Sequence, residues 1–378
     1  VTKKQLLDDV MVRRLKQDLR EIGDTDFPER QIIPIVIDGL SPDAPELALA
    51  RLLQDYRTCR EERLNNEAKS TQTAAMLVMI SLQKRLLSSI EAFARTLSVH
   101  RKAIERQAGK QRVVVGRNLS LLQEAPGSDD DRAELSEKEV EAEEDSKMAA
   151  ATQLSADAIS ARELELLNQM AAIAGSARHQ PDSRIKKLIE WIRDNLCPDL
   201  GQPRAQWNNR RVVIFTEYTD TKRYLEEQLG QAIANSQREN ERIDSFTGGM
   251  GDERRELIKA AFNADPEHHP LRILIATDAA REGVNLQNHC ADLFHFDVPW
   301  NPSRMEQRNG RIDRKLQRQP VVRCYYFQLR QRAEDRVIDV LVKKTATIQQ
   351  ELGSISPVIE RNVGRLLDRG IHASNEQS

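Results

Sequence analysis

The apolar positions change period along the chain, and the changes divide it. Ile32, Ile33, Ile35, Val36 and Ile37 form an extended run that predicts a strand. Pro34 lies inside it and cannot donate to a ladder, which places that strand at a sheet edge. From about 43 to 108 the spacing becomes helical, with Leu49, Leu52, Leu53 and Tyr56 on one stripe and Met76, Met79, Leu82, Leu86, Ile90, Phe93 and Leu97 on another. Leu154, Ile159, Leu164, Leu167 and Met170 predict more helix, and Ile185, Leu188, Ile189 and Ile192 a short further one after a break at 175–183. From about 205 strands alternate with helices. Strands are expected at 211–215, 272–276, 293–296 and 321–327, and helices at about 219–234, 252–263 and 332–350. That alternation predicts an α/β lobe whose mostly parallel sheet is covered on both faces.

Charge changes the picture locally rather than globally. The net charge of -2 excludes a generically basic nucleic-acid binder. Residues 128–145, however, gather Asp129, Asp130, Asp131, Glu134, Glu137, Glu139, Glu141, Glu143, Glu144 and Asp145 against Arg132 and Lys138 alone. A solvated helix flank or linker is expected there, repelling phosphate from a neighbouring basic face. Apolar runs such as 212–215 are too short to cross a bilayer, and no secretory signal is visible. Cys59, Cys197, Cys290 and Cys324 form no CxxC pair, so a reducing cytoplasm is expected and a disulfide framework or zinc site is not. His268 and His269, between Pro266 and Pro270, read as a surface loop rather than a metal site.

Candidate chemistry gathers where the strands should end. Thr216-Glu217-Tyr218 follows the first strand of the α/β part, and the TDAAREGVNLQ segment, Thr277 to Gln287, follows the central one. Open parallel sheets bind ligands beyond those edges. Gly283 permits close backbone approach and Asn285 can both donate and accept. Farther on, FDVPWNP leads into EQRNGRIDR, where a helix would put Gln307, Arg311 and Arg314 on one face. Two guanidiniums on one face suit phosphoryl oxygens, and a solvated basic helix paired with Glu306 and Asp313 accounts for the spacing equally well.

QRNGRIDR is similar to motif VI of superfamily 2 helicases, TDAAREGVNLQ to motif V and RVVIFTEYTD to motif IV, and FTGGM with Arg254, Arg255 and Phe262 to the segment after motif IV. FDVPWNP ahead of the glutamine-arginine segment, with VRRLKQDL and FPERQ near the start, resembles the Swi/Snf type more narrowly. The GR-x-D-R form resembles bacterial members, RNA-polymerase-recycling ATPases among them. The resemblance implies a RecA-like C-terminal motor lobe at 205–350, a helical protrusion at 43–204, an exit segment with strand at 1–42 packing on the lobe, and a tail at 351–378. It implies that Arg311 and Arg314 complete the ATP site from the second lobe, with Gln307 organising the cleft and Gly283 and Asn285 beside the nucleotide. Thr216, Thr247, Gly248 and Thr277 are implied to contact a nucleic-acid backbone.

One departure is local: Lys315-Leu316-Gln317 stands where a glycine-containing turn is common. The other is larger. No GxxxxGK[ST] loop occurs, since Gly109-Lys110 is followed by Gln111, so magnesium and the β- and γ-phosphates lack their usual supports. The expected function is therefore the second lobe of an ATP- and Mg2+-dependent translocase in the bacterial cytoplasm. It would act on double-stranded DNA, or on RNA, and need a separate N-terminal RecA-like lobe; the protrusion could bind a protein partner. A helicase component of a phage-defence or restriction-like system and a non-catalytic nucleic-acid-binding scaffold are the alternatives.

Overall fold

The computed structural model describes residues 27–108, 135–156, 159–278, 285–352 and 370–371. Within them the α/β part forms a six-stranded sheet in which each pairing is parallel. Its strands are β1 (Glu29–Ile37), β2 (Val212–Thr216), β3 (Ile243–Phe246), β4 (Ile273–Thr277), β5 (Asp292–His295) and β6 (Val321–Leu329), in the order β1-β6-β5-β2-β4-β3. β2 is buried along its whole length, as an unbroken apolar run in a doubly covered parallel sheet should be. β1 takes the edge position that Pro34 demands and pairs with β6 from Glu29 opposite Val321 to Ile37 opposite Leu329. After β4 the chain crosses β2 to begin β5 on its other side, so the strand order reverses at β2. That crevice is where an open sheet of this kind takes its ligand.

Alternate residues of β2 face opposite cores. Val212 and Ile214 pack with α6 (Ser183–Asn195) and α7 (Thr219–Ala232) through Leu188, Ile192, Leu225 and Leu229. Val213 and Phe215 pack with α8 (Asp252–Asn263) through Ile258 and Phe262, and with Ile312. Burying each such side chain contributes roughly 1.5–3 kcal/mol. The α6 packing revises the domain boundary expected at 204. Trp191 stands edge-on to Phe294 of β5 at 5.0 Å, so 183–195 lies in the sheet's core and not in the helical protrusion.

The protrusion is a bundle of α1 (Pro45–Leu64), α2 (Lys69–Ser88), α3 (Ile90–Ala108), α4 (Glu137–Gln153) and α5 (Ala161–Ala177). Leu49, Leu53, Met79, Leu82, Phe93 and Leu97 share its core, as the two stripes predict, and Val78 and Met170 join them. Capping boxes start α4 and α5, with Ser136 and Ser160 exchanging bonds with Glu139 and Glu163. A second face of α2 meets the lobe: Ile80 and Leu87 pack with Trp300, Tyr326 and Val342, the last on α10 (Ala333–Leu352). No helix among the described residues is long and apolar enough to cross a membrane. The basic segment over 1–26, the acidic residues 129–134 and nearly all of the 351–378 tail lie outside the described residues.

Candidate nucleotide and nucleic-acid site

The ends of β2, β4 and β5 deliver three carboxylates to the crevice, and one arginine ties two of them. Asp297, just past β5, is the hub. Its Oδ2 accepts from Thr216 Oγ1 at 2.5 Å and from Ser88 Oγ of α2 at 2.6 Å, and its Oδ1 from the Glu217 amide at 2.9 Å. Arg308 donates to both oxygens of Asp278 at 2.6 and 2.8 Å, to the Asp297 carbonyl at 2.6 Å and to Asp297 Oδ1 at 3.3 Å. It lies on α9 (Pro302–Asn309), which Asn301 caps by accepting from the Ser303 amide at 2.8 Å. Burial alone would lower the Arg308 pKa, but Asp278 and Asp297 outweigh it and hold the guanidinium above its ordinary value. Glu217 is shifted upward as well, which favours its neutral form. Burial raises its carboxyl, Lys84 opposes, and Asp297 and Asp278 push it further up.

The predicted finger residues are placed differently from what helical spacing predicts. α9 ends at Asn309, so Gln307, Arg311 and Arg314 do not share one helical face. Gln307 is exposed on the helix, while Arg311 and Arg314 sit in the turns after it. Gly310 serves as the cap, its amide bonding the Glu306 carbonyl at 2.8 Å; a Cβ there would lie 3.2 Å from that oxygen. Arg311 is buried rather than exposed, and its carbonyl accepts from the Leu286 amide at 3.0 Å, which ties the turn to the motif V segment. Arg314 Nε donates to the Gly310 carbonyl at 2.7 Å and Nη1 to Asn285 Oδ1. Asn285 thus joins Arg314, whereas Gly283 lies outside the described residues. The missing glycine leaves a mark: Leu316 takes φ 74° and is 70% exposed. A β-carbon makes that left-handed backbone unfavourable.

The four residues expected to meet nucleic acid separate. Thr216 is fully buried and its hydroxyl is committed to Asp297, so it braces the sheet edge instead of presenting a donor outward. Thr247, Gly248 and Thr277 do come together, lining one cleft with Glu217, Tyr218 and Thr219. Its opposite wall is Leu135 with Glu137, Val140 and Glu144 of α4. Gly249 holds the 247–249 turn against that wall at φ 64°, and a Cβ there would meet the Leu135 carbonyl oxygen at 2.4 Å. The acidic flank is therefore not simply solvated. Glu137 pairs with Lys222 at 2.8 Å, Glu144 with Arg85 at 2.6 Å, Asp145 with Arg95 at 3.0 Å, and Glu141 with Arg223.

Asp278, Asp297 and Arg308 each lie within a quoted motif, but no spacing links them and only the fold shows that they meet. Guanidiniums at 311 and 314 fit the charge of a triphosphate. The carboxylates at the strand ends are a poor cradle for a divalent cation, because Arg308 already spans Asp278 and Asp297. Among the described residues no group of three or more His, Cys, Asp or Glu is placed to hold a metal ion.

Residues 188–315 match the helicase conserved C-terminal domain. A stretch of 151 residues is 32% identical to the uncharacterized ATP-dependent helicase YqhH of Bacillus subtilis (strain 168), covering 40% of this chain and 25% of that protein. RNA polymerase-associated protein RapA of Vibrio atlanticus (strain LGP32) is 32% identical over 135 residues, 36% of this chain and 12% of that protein. The matched segments thus span a quarter or less of these bacterial relatives. Among solved structures, the C-terminal part of the Fun30 ATPase domain aligns over 90% of this chain and 99% of that one, with a TM-score of 0.45 and 14% identity.

Proposed function

With residues 188–315 taken as a helicase conserved C-terminal domain, we propose that the chain is the second motor lobe of an ATP-driven translocase on double-stranded DNA. One observation carries this reading. The network of Thr216, Asp278, Asp297 and Arg308 joins the ends of β2, β4 and β5 to α9 at the point where strand order reverses. A ligand is expected there, and the Arg311–Arg314 turn follows α9, the helix whose Arg308 belongs to that network. A first RecA-like lobe would supply the phosphate cradle and the magnesium ligands. ATP would supply the free energy of phosphoryl transfer. Arg311 and Arg314 would stabilise charge developing on the transferred group, with Gln307 exposed toward the same partner. Thr247, Gly248 and Thr277 would hold backbone phosphates, contacts that carry no sequence information. The printed name of the YqhH relative supports ATP use, and the RapA name suggests a protein partner such as RNA polymerase for the intact molecule.

The test is DNA-stimulated ATP turnover by the intact two-lobe protein carrying Arg311→Ala or Arg314→Ala. Turnover is expected to fall by about 10³-fold, as when an arginine finger is lost. The double variant should be nearly as slow as the worse single one, because both residues serve one transition state. Near-native turnover in both folded single variants would leave the scaffold reading as the better account. RNA tested alongside DNA at matched salt decides the substrate class. The isolated chain is expected to show negligible turnover.

A further inference from the structure

Arg30, on edge strand β1, reaches across the sheet end to the turn that carries both proposed finger residues. Its Nε donates to Asp313 Oδ2 at 2.7 Å, across 283 residues of sequence, and its Nη1 to both oxygens of Glu306 at 2.8 and 2.7 Å. Glu306 lies in the last turns of α9, and Asp313 falls between Arg311 and Arg314. One planar guanidinium therefore fixes the distance from the end of the helix to the middle of the turn, which a flexible ammonium could not do in the same way. The contact is sheltered, with Arg30 at 15% exposure and Asp313 at 3%. It also continues inward: Asn309 donates to Glu306 at 3.1 Å, and its Oδ1 meets His295 Nε2 of β5 at 2.9 Å.

Holding β1 in place does not require this pair. The strand has nine register pairs with β6, and the Glu29 amide bonds the Pro320 carbonyl at 2.8 Å. What Arg30 adds is the position of the turn.

We propose that Arg30 is a positioning residue for phosphoryl transfer, bracing Glu306 and Asp313 so that Arg311 and Arg314 are held in their working geometry. The inference rests on the reading of those two arginines as nucleotide-facing. Arg30 itself touches no substrate.

The experiment measures kcat and KM for ATP, with saturating DNA, in the intact protein. Arg30→Met is expected to lower kcat about 10- to 100-fold, the size of effect that roughly 1 Å of misplacement produces, with KM little changed. Arg30→Lys should fall between Met and the native residue. A triple variant, Arg30→Met with Glu306→Gln and Asp313→Asn, leaves no uncompensated buried charge. It should recover the native melting temperature while kcat stays low, and this covers the case in which Arg30→Met alone folds poorly. Native kcat in the triple variant would show that Arg30 merely offsets two carboxylates, and would overturn the proposal. Arg311→Ala in the same assay separates the failures. If it is slow while folded Arg30→Met is native-like, the positioning role fails and the finger reading stands. If Arg311→Ala turns over normally, both fall together.

Discussion

Two buried polar networks, one in the bundle and one at the sheet edge, use the same residue types to different ends. In the bundle, Tyr56 Oη and His100 Nε2 lie 2.8 Å apart, His100 Nδ1 meets Thr152 Oγ1 at 2.7 Å, and Arg60 donates to Tyr56 at 2.7 Å and to Ser155. Those partners come from α1, α3, α4 and the residues just after it, and the network closes on itself. The sheet-edge network gathers α2, three strand ends and α9, and runs on through the turn to Arg314 and Asn285. A closed set of hydrogen bonds makes a core unique; an open one delivers charge to a surface. The difference lies in where each network ends.

The comparison can be broken most directly by removing its two arginines. Arg308→Met leaves Asp278 and Asp297 buried without their counter-charge and should cost about 3–5 kcal/mol in urea denaturation. Where the variant folds, DNA-stimulated turnover should fall as well. Arg60→Met strands hydroxyl and imidazole partners only and should cost about 1–3 kcal/mol. The intact protein should keep its turnover. Loss of turnover in a folded Arg60→Met protein would show that the bundle network is not closed in function.

Acid sharpens the same contrast, because each network holds a neutral histidine. Burial, helped by the positive charge of Arg308, pushes His295 down to about 3, and burial with Arg60 pushes His100 well below its ordinary value. Below about pH 6.5 the unfolded chain takes up protons on these histidines and the folded chain does not. Stability is therefore lost as pH falls from about 6.5 toward the folded values, at about 1.4 kcal/mol per pH unit for each group. The urea midpoint followed from pH 7 to 4.5 should fall less steeply in His295→Gln and in His100→Gln. An unchanged slope in either variant means that histidine is not held neutral.

The smallest effect concerns the end of the open network. Leu316→Gly should raise stability by about 1 kcal/mol, because glycine accepts the φ of 74° that a β-carbon resists. A lower melting temperature would show that the exposed leucine side chain makes a contact worth more than the strain.

Local pattern was enough for much of the fold. The β2 run is apolar throughout because both faces of a central parallel strand are covered, and Pro34 marks an edge because it has no N–H to donate. The periodic stripes of α1 to α3 could be read for the same reason: burial on one side repeats with the turn of the helix. Motif resemblance also singled out Arg311, Arg314 and Asn285 as candidates. Tertiary structure decided how they meet. Helical spacing assumed that α9 continues to Arg314, but α9 stops at Asn309 and the arginines follow in turns held from outside by Arg30 and Leu286. Thr216 resembled an outward donor, yet Asp297, 81 residues away, takes its hydroxyl inward. The acidic run read as solvated because its cations, Arg85, Arg95, Lys222 and Arg223, lie on other helices. Period and spacing record what a residue's neighbours in the chain impose. The partner of a buried charge is chosen by whichever distant segment the fold brings within about 3 Å, and no local pattern carries that distance.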